Sequence, residues 1–182
     1  MSILERIISV TVMALFSLGI ANAQSTAIGT TWSFTGIGLS FEHMKNDEIL
    51  LNAGLQLEMS ENFLGKPGQL GFSGSFTSNR IFSRTESRNG TEVIFYAGPG
   101  VYAGYGRDHS LKNEDRLYGL LFGLQGRLGM NIIYDRNVNI SIGIAPVIGM
   151  HLTRKDHNLS MKSYRYGLMR MLMPEVGLKY RF

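Results

Sequence analysis

Four histidines are the side chains of this chain best suited to acid-base chemistry: His43, His109, His151 and His157. A histidine that lies beside a hydroxyl and a carboxylate can act as the base that makes the hydroxyl a nucleophile. The run Asp108-His109-Ser110 contains all three groups, but neighbouring side chains on an extended chain point in opposite directions, so this run is not a preformed triad. We therefore predict no catalytic residue and interpret the histidines as solvated residues of connections and strand ends.

The sequence gives no sign of a metal or cofactor site. His151 and His157 are six residues apart across a polar break, a spacing that does not match known metal sites. The chain contains no cysteine, which excludes thiolate ligands, disulfides and lipid attachment at a cysteine. No phosphate loop, dinucleotide fingerprint or serine elbow is present. We predict no metal and no cofactor.

Composition narrows the possible partners. The formal net charge is +4 at pH 7, a mild excess that suits anionic lipid head groups and is too diffuse to indicate nucleic acid. Glycine is over-represented, with 22 residues in 182, against a usual share of about 7 %. In strands, glycine marks bulges and places where two backbones approach closely.

The N-terminus has the layout of a cleaved export signal. Arg6 lies in a polar start, an apolar stretch follows from Ile7 to Ile20, and Ala21-Asn22-Ala23 supplies the small residues before a cleavage site. A retained anchor helix is the alternative, but the apolar stretch is shorter than the ~20 residues that a spanning helix needs. We predict a signal peptide at residues 1–23 and one domain at residues 24–182.

Apolar residues then fall on every second position in seven windows, of which the clearest begin at Ile49, Val93 and Ile140. Each window is long enough for the ~9–11 residues with which a tilted strand crosses a bilayer. Polar breaks separate the windows, and no helical periodicity is visible after residue 23. This pattern predicts an all-β, antiparallel, up-and-down meander.

The sizes of the alternating residues indicate which face is inside. Ile140, Ile142 and Ile144 share one face, whereas Ser141 and Gly143 lie on the other. Large apolar groups on one face and small or polar groups on the other suit a narrow eight-stranded barrel whose bulky face meets lipid. A soluble barrel with an apolar lumen is the alternative, and it would need the reverse volumes.

One strand of the predicted barrel is hidden in the pattern. Bacterial single-chain barrels have an even number of strands, so seven windows require an eighth. The alternation slips between Phe34 and Ile37, which marks either a bulge or the seam of two short strands. A similar slip around Met169 to Met173 is the other candidate. We also predict bulges or broken pairing at Pro99, Pro146 and Pro174, because proline has no N–H to donate.

Two motifs carry a resemblance to a known family. The last residues, Pro174 to Phe182, alternate and end in an aromatic, which resembles the sorting signal that the assembly machinery of the outer membrane reads, with Tyr180 and Phe182 as its residues. The glycine-rich run from Tyr96 to Gly106 is similar to a central strand of small barrels of the OmpX, OmpA and opacity-protein type. The resemblance implies a transmembrane β-barrel in the outer membrane of a Gram-negative bacterium, with outer-membrane lipid, lipopolysaccharide and the assembly machinery as partners and no nucleic acid. It leaves the oligomeric state open.

Polar residues in the inward phase predict a network in the lumen. Buried charges must pair, so we expect Arg127 to meet Glu175 or Glu58. The network either plugs the barrel and fixes its register or provides a conduction or proton path; a wide pore would need about 16 strands. The predicted network residues are Gln56, Glu58, Gln125, Arg127, Glu175 and Lys179.

The connection from Thr153 to Ser163 is the candidate outer surface. If the final strand runs down to the periplasm, this connection lies outside the cell, where its cations could hold lipopolysaccharide phosphates; a solvated loop is the alternative. The cations are Arg154, Lys155, Lys162 and Arg165. Two functions follow: a non-enzymatic barrel that is structural or binds through its surface, and, as the alternative, a lipid A acyl hydrolase or transferase, which would need a cavity in or beside the wall.

Overall fold

The computed structural model describes residues 26–59, 70–87, 90–108, 118–155 and 158–182. In these ranges the chain forms one antiparallel sheet of ten strand segments. A short helix, α1 (Arg165–Met169), and a 3-10 turn (Arg170–Leu172) precede the last strand. The strands are β1 (Thr26–Ser33), β2 (Gly36–Asn46), β3 (Ile49–Glu58), β4 (Gly71–Glu86), β5 (Glu92–Arg107), β6 (Tyr118–Tyr134), β7 (Val138–Ile144), β8 (Val147–Lys155), β9 (Asn158–Ser163) and β10 (Glu175–Arg181).

The sheet closes into a ring of eight strand positions. From Thr30 of β1, cross-strand partners in β2 and β3 lead to Gly74 of β4. In the opposite direction, partners in β10, β7, β6 and β5 lead from Thr30 to Thr85 of the same strand. The two paths arrive at different heights on β4, which is the stagger of a barrel with tilted strands. The predicted eight-stranded antiparallel barrel is confirmed.

The two ends of the barrel differ. At one end short turns connect the strands, including Asp47-Glu48 and residues 135–137, and β10 also finishes there; we call it the turn end. At the opposite end β5 finishes at Arg107 and β6 begins at Tyr118; we call it the loop end.

The hidden strand lies at the N-terminal slip. β1 and β2 form a hairpin whose turn is Phe34-Thr35, so the slip is the seam of two short strands and not a bulge. The other candidate, around Met169 to Met173, is wrong, because this segment is helical.

The seventh strand position is interrupted in the middle. β7 pairs with one half of β6 and β8 with the other half, so together they act as a single long strand. Ala145 and Pro146 separate them, and the carbonyl of Pro146 accepts a hydrogen bond of 2.9 Å from the backbone N–H of Gly126. The proline breaks the ladder because it has no N–H to donate.

The other two prolines also lie where pairing is broken. Pro174 stands between the 3-10 turn and β10. Pro99 is paired with Gly126 of β6, but on its other side the ladder with β4 is interrupted between Gly100 and Ala97. The prediction is therefore confirmed at all three prolines, at Pro99 on one side only.

At the eighth strand position of the ring, a helix lies on the loop-end side of β10. The sequence did not predict this helix. β9 pairs with β8, α1 then turns into the barrel, and β10 continues between β7 and β1. Tyr166 and Gly167 are buried, whereas Leu168 is exposed. α1 packs against β8, and the 3-10 turn that follows it reaches the β1–β2 turn through the hydrogen bond of Arg170 to Thr35. No helix in the described ranges has the length and hydropathy needed to cross a membrane.

The wall separates apolar from polar residues. Large apolar side chains point away from the barrel and are exposed, as for Leu55 at 66 % and Leu124 and Ile148 at 70 %. Charged and amide side chains point inward and are buried, as for Glu42 and Asn52 at 2 %. The bulky face is thus outside, as predicted, and the lumen is polar.

Candidate functional site

A polar layer centred on Glu42 fills the lumen toward the turn end. Its Oε1 accepts hydrogen bonds from Nζ of Lys179 at 2.5 Å and from Nδ2 of Asn52 at 3.0 Å. Its Oε2 accepts from Nδ2 of Asn131 and of Asn139, both at 3.0 Å. The four donors come from four different strands, so this one carboxylate links β10, β3, β6 and β7 to β2.

The buried lysine of this layer has a charged and a neutral hydrogen-bond acceptor. Lys179 also donates a hydrogen bond of 2.9 Å to Oγ of Ser141 on β7. A buried ammonium group needs a paired charge and further acceptors, and both are present here. The layer is suited to fixing the register of the strands that it joins.

Arg127 lies in the same half of the lumen. It is 8 % exposed, and its Nη2 is 3.6 Å from Oε2 of Glu175. Of the two carboxylates considered for this arginine, the structure brings Glu175 to it, while Glu58 pairs elsewhere. Gln125, also predicted to face inward, is 5 % exposed.

A second polar layer lies toward the loop end and is built around Arg170 of the 3-10 turn. Its Nη2 donates hydrogen bonds to Oε1 of Gln56 at 2.8 Å and to Oγ1 of Thr35 at 3.3 Å. The same atom is 3.8 Å from Oε1 of Glu58, which also accepts a hydrogen bond of 2.5 Å from the hydroxyl of Tyr102. Arg170 therefore ties the inserted helical segment to β3 and to the β1–β2 turn.

Aromatic packing holds α1 inside the barrel. The rings of Tyr102 and Tyr164 stack with centroids 6.1 Å apart, and the guanidinium of Arg170 lies 5.0 Å above the Tyr102 ring. Leu121 and Val147 complete a small apolar core between these rings and the wall. This core explains why the chain turns inward at Tyr164 instead of continuing as a strand.

Asp108 anchors the start of α1. Its carboxylate accepts hydrogen bonds from the backbone N–H groups of Arg165 at 3.1 Å and Tyr166 at 3.0 Å. A carboxylate at the first turn satisfies donors that have no partner inside the helix. Asp108 thus holds α1 to the end of β5, while His109 and Ser110 lie outside the described residues.

The two histidines that the structure describes are not arranged for nucleophilic catalysis. Nε2 of His151 lies 3.2 Å from the carbonyl oxygen of Gly106, and the residue is 4 % exposed. The expectation that His151 is solvated is wrong, because its position on β8 has the inward phase. Nδ1 of His43 lies 3.1 Å from Oγ1 of Thr26. His157 lies outside the described residues.

Little free space remains between the two polar layers. A cavity of about 30 Å³ lies there, lined by Asn52, Gln125, Arg127 and Arg170 among others. This volume has room for about one water molecule. Between the two polar layers, side chains therefore fill the lumen, whereas a cavity of about 520 Å³ lies at the turn end, lined by Arg84, Glu92 and Arg181 among others.

The predicted phosphate-binding cations do not form one patch. Arg154 pairs across the β8–β9 hairpin with Leu159 and is exposed. Lys162 is the cross-strand partner of the buried His151, so it belongs to the opposite face of the hairpin. Arg165 is exposed at the start of α1, and the side chain of Lys155 is outside the description.

A groove crosses the outer wall at a point where two neighbouring strands each carry a small residue on the outer face. Gly74 of β4 and Ala103 of β5 are cross-strand partners, and the pair Phe72–Tyr105 lies next to them on the loop-end side. The groove encloses about 820 Å³. Its other large apolar side chains are Ile37, Leu39, Leu55, Leu57, Leu120 and Phe122.

An aromatic row borders this groove toward the loop end. The rings of Phe72 and Tyr105 stack with centroids 6.1 Å apart, and those of Tyr105 and Tyr118 with centroids 5.8 Å apart. The guanidinium carbon of Arg107 lies 4.5 Å from the centre of the Tyr118 ring. Arg107 was not predicted, although its alternation with Tyr105 and Ala103 places it on the same outer face.

The turn end carries its own charges and the C-terminal aromatics. Arg84 bridges Glu92 and Asp47, and Arg181 lies 3.8 Å from Glu92. The predicted sorting residues are next to them: the rings of Tyr180 and Phe182 meet edge to face at 5.3 Å, and both are more than half exposed.

In the ranges that the structure covers, no group of three histidine, cysteine, aspartate or glutamate side chains could hold a metal ion. Comparisons with models of protein families, with curated proteins and with solved structures found no match.

Proposed function

We propose that this chain is a non-enzymatic β-barrel of the outer membrane of a Gram-negative bacterium, of the OmpX, OmpA and opacity-protein type. Its role is structural, or it binds partners through its surface. One observation carries the proposal: a closed barrel has a polar lumen and an outer wall of exposed large apolar side chains. Soluble monomers rarely expose apolar patches beyond a few hundred Å².

Closure of the ring supports a location in lipid. Hydrocarbon offers no hydrogen bonds to backbone N–H and C=O groups, so a spanning sheet must leave no open edge. The pairing of β1 with β10 removes the edge that an open eight-stranded sheet would expose. Residues 1–23 have the layout of the export signal that such a protein needs.

The ends of the barrel support one orientation. The C-terminal aromatics Tyr180 and Phe182 lie at the turn end, where the assembly machinery would read them from the periplasm. The loop end then faces outward. In this orientation Arg154 is a predicted phosphate-binding cation with the outward phase, and lipopolysaccharide is the partner that we propose there.

The filled lumen favours the plug interpretation over conduction. The Glu42 layer and the Arg170 layer both cross the lumen, and the space between them is about 30 Å³. Aqueous channels come with far more strands. The lumenal residues therefore serve the stability and register of the barrel.

A pair of wall substitutions tests the proposal sharply. Leu124 and Ile148 are each 70 % exposed, so in water Leu124→Arg or Ile148→Arg is expected to change the free energy of unfolding by less than about 0.5 kcal/mol. In lipid, arginine near the midplane costs ~2–4 kcal/mol. Leu159→Arg, on the exposed face of β9, is the matched control and is expected to be tolerated.

The measurement is the amount of folded barrel in isolated outer membranes. A folded barrel migrates faster on a detergent gel before boiling than after, and this shift should be lost for Leu124→Arg but kept for Leu159→Arg. Folded, water-soluble protein in all three variants would contradict the proposal.

The enzyme alternative gains one supporting observation, the groove of about 820 Å³ beside the wall. An acyl hydrolase or transferase would need such a space for its substrate. Mass spectrometry of lipid A from cells with and without the protein separates the two functions. We expect identical lipid A; a lost or added acyl chain that depends on His151 would favour the enzyme.

A further inference from the structure

Two of the outward positions that line the groove on the outer wall carry no large side chain. Gly74 and Ala103 face outward side by side, between Leu55 on β3 and Phe122 on β6, which lie in the same cross-strand row. The surrounding surface is almost entirely apolar. A linear apolar group that lies across this row would contact these side chains and the exposed backbone of the strands.

Two arginines flank one tyrosine above the groove. Arg107 is the cross-strand partner of Tyr118, and its guanidinium covers the tyrosine ring. On the other side of Tyr118, the register of β6 with β8 pairs Gly119 with Thr153, and one more step places Arg154 opposite Tyr118. Both arginines have the outward phase, so two positive charges lie at the loop end on β5 and β8, the strands on either side of β6.

We propose that this face of the barrel binds one molecule of lipopolysaccharide, with a lipid A phosphate between Arg107 and Arg154 and one acyl chain in the groove at Gly74 and Ala103. The proposal rests on the outer-membrane location proposed above. Guanidinium groups bind phosphate with two parallel hydrogen bonds, which suits Arg107 and Arg154 to this role.

The order of the groups along the strands matches the chemistry of the lipid. Going from the loop end toward the middle of the wall, Arg107 and Tyr118 share the first row, Tyr105 lies in the next outward row, and the apolar groove follows. Tyrosines concentrate at the level of lipid head groups. An anionic head group followed by a hydrocarbon chain presents the complementary order.

A second copy of the chain fits this face less well. All copies in a membrane share one orientation, so in a symmetric dimer through this face the arginines of the two copies would meet at the same height. Like charges at one level repel. Charge therefore favours an anionic lipid over a second barrel.

Filling the groove tests the acyl-chain half of the proposal. A Cβ added at Gly74 would lie 3.5 Å from Cδ2 of Leu55, an ordinary contact, so Gly74→Val adds bulk to the groove without a clash with the backbone. Gly126 also faces outward, on β6 outside the groove, and a Cβ there would lie 3.7 Å from Cγ of Pro146. Gly126→Val is the matched control.

The full-length protein is purified from outer membranes in mild detergent and mixed with bisphosphorylated lipid A, and native mass spectrometry counts the bound lipid. We expect one retained lipid A in the wild type and after Gly126→Val. Gly74→Val should lower its affinity about tenfold, because about two methylene groups lose their contacts.

Charge variants test the head-group half. Arg107→Gln and Arg154→Gln should each weaken binding of bisphosphorylated lipid A about fivefold, which corresponds to ~1 kcal/mol per cation, and the effect should shrink with salt and with dephosphorylated lipid A. Arg80→Gln is the control, since Arg80 is exposed on β4 near the turn end.

Equal retention of lipid A by Gly74→Val and Gly126→Val, or by the double arginine variant and Arg80→Gln, would overturn the inference. A dimer in the wild type that Gly74→Val dissociates would also overturn it, in favour of a second copy. If the protein fractionates away from the outer membrane, the proposed function fails; if it resides there and fails these tests, the lipid site alone is wrong.

Discussion

The ammonium group of Lys179 on β10 donates a hydrogen bond to Glu42 on β2, although β10 and β2 are not neighbours in the barrel. The two side chains meet inside the lumen, past β1, at a distance of 2.5 Å and with 0 % and 2 % of their surface exposed. This bond therefore spans the position at which the first and last strands close the ring.

Lys179→Met should destabilise the barrel by about 3–5 kcal/mol, because it leaves the carboxylate of Glu42 buried without its cation. Adding Glu42→Gln should recover part of this loss, since the double variant has no uncompensated charge. Urea unfolding in detergent micelles measures both. Asp47→Asn breaks an exposed pair with Arg84 and should cost less than about 1 kcal/mol. Equal midpoints for Lys179→Met and Asp47→Asn would contradict this account.

Arg127→Met should lower the free energy of unfolding by about 3–5 kcal/mol, because Glu175 then loses its buried partner. Arg80→Met is the control. Arg80 is exposed on the outer face, so its replacement leaves no buried carboxylate without a partner. An Arg127→Met protein with an unchanged unfolding midpoint would show that the pair contributes no stability.

Arg170→Met should loosen α1 while leaving the strands closed. The guanidinium joins the helical segment to Gln56, Thr35 and Glu58. The Glu42 layer, by contrast, contains no residue of this segment. Hydrogen exchange measured by mass spectrometry should be at least about tenfold faster for residues 165–172 and unchanged for β5 and β6. Uniformly faster exchange would mean that Arg170 supports the whole barrel.

Asp108→Ala should act on the same segment more weakly. Two backbone N–H groups of α1 lose their acceptor, at a cost of about 1–2 kcal/mol for a helix start. Exchange at Arg165 and Tyr166 should rise, and Asp108→Asn should restore part of the protection because the amide oxygen can still accept. Unchanged exchange rates at Arg165 and Tyr166 in both Asp108 variants would rule out its role as a cap.

Phe182→Ser should lower the amount of barrel in the outer membrane more than it lowers the stability of folded barrel. Phe182 is 52 % exposed, so its burial contributes less than the ~1.5–3 kcal/mol of a fully buried side chain. Leu178→Ser, on the same strand and 48 % exposed, is the control for lost apolar surface. Quantitative blotting of membranes and unfolding of purified protein separate assembly from stability. Equal membrane levels for the two variants would remove the sorting argument.

Most strands and their faces could be predicted because a strand exposes its side chains with a period of two. The same rule would have found Glu42, since Ile37, Leu39 and Phe41 take the outer face and leave position 42 inside. It could not find Arg170. The helical segment is too short to show a helical period, and its inward turn depends on stacking between Tyr102 and Tyr164, which are distant in sequence.

The outer-wall groove was beyond sequence reasoning for a different reason. Gly74 and Ala103 make a groove only because the register of β4 and β5 places them side by side. A shift of the register by two residues would keep every side chain on its face and would remove the groove. Alternation reports the face of each residue and carries no information about its cross-strand neighbour.

The ladder between β1 and β10 also bears on how fast the barrel folds. The other seven ladders of the ring join strands that are close in sequence, whereas this ladder joins Ala27 to Arg181 and the backbone N–H of Phe182 to the carbonyl of Thr26. Contacts between distant residues form slowly, because the entropy of closing the whole chain is lost before they stabilise the structure. An incomplete chain therefore leaves β1 as an unprotected edge until the final seven-residue strand arrives. We therefore expect pairing of β1 with β10 to be the last step in closing the barrel.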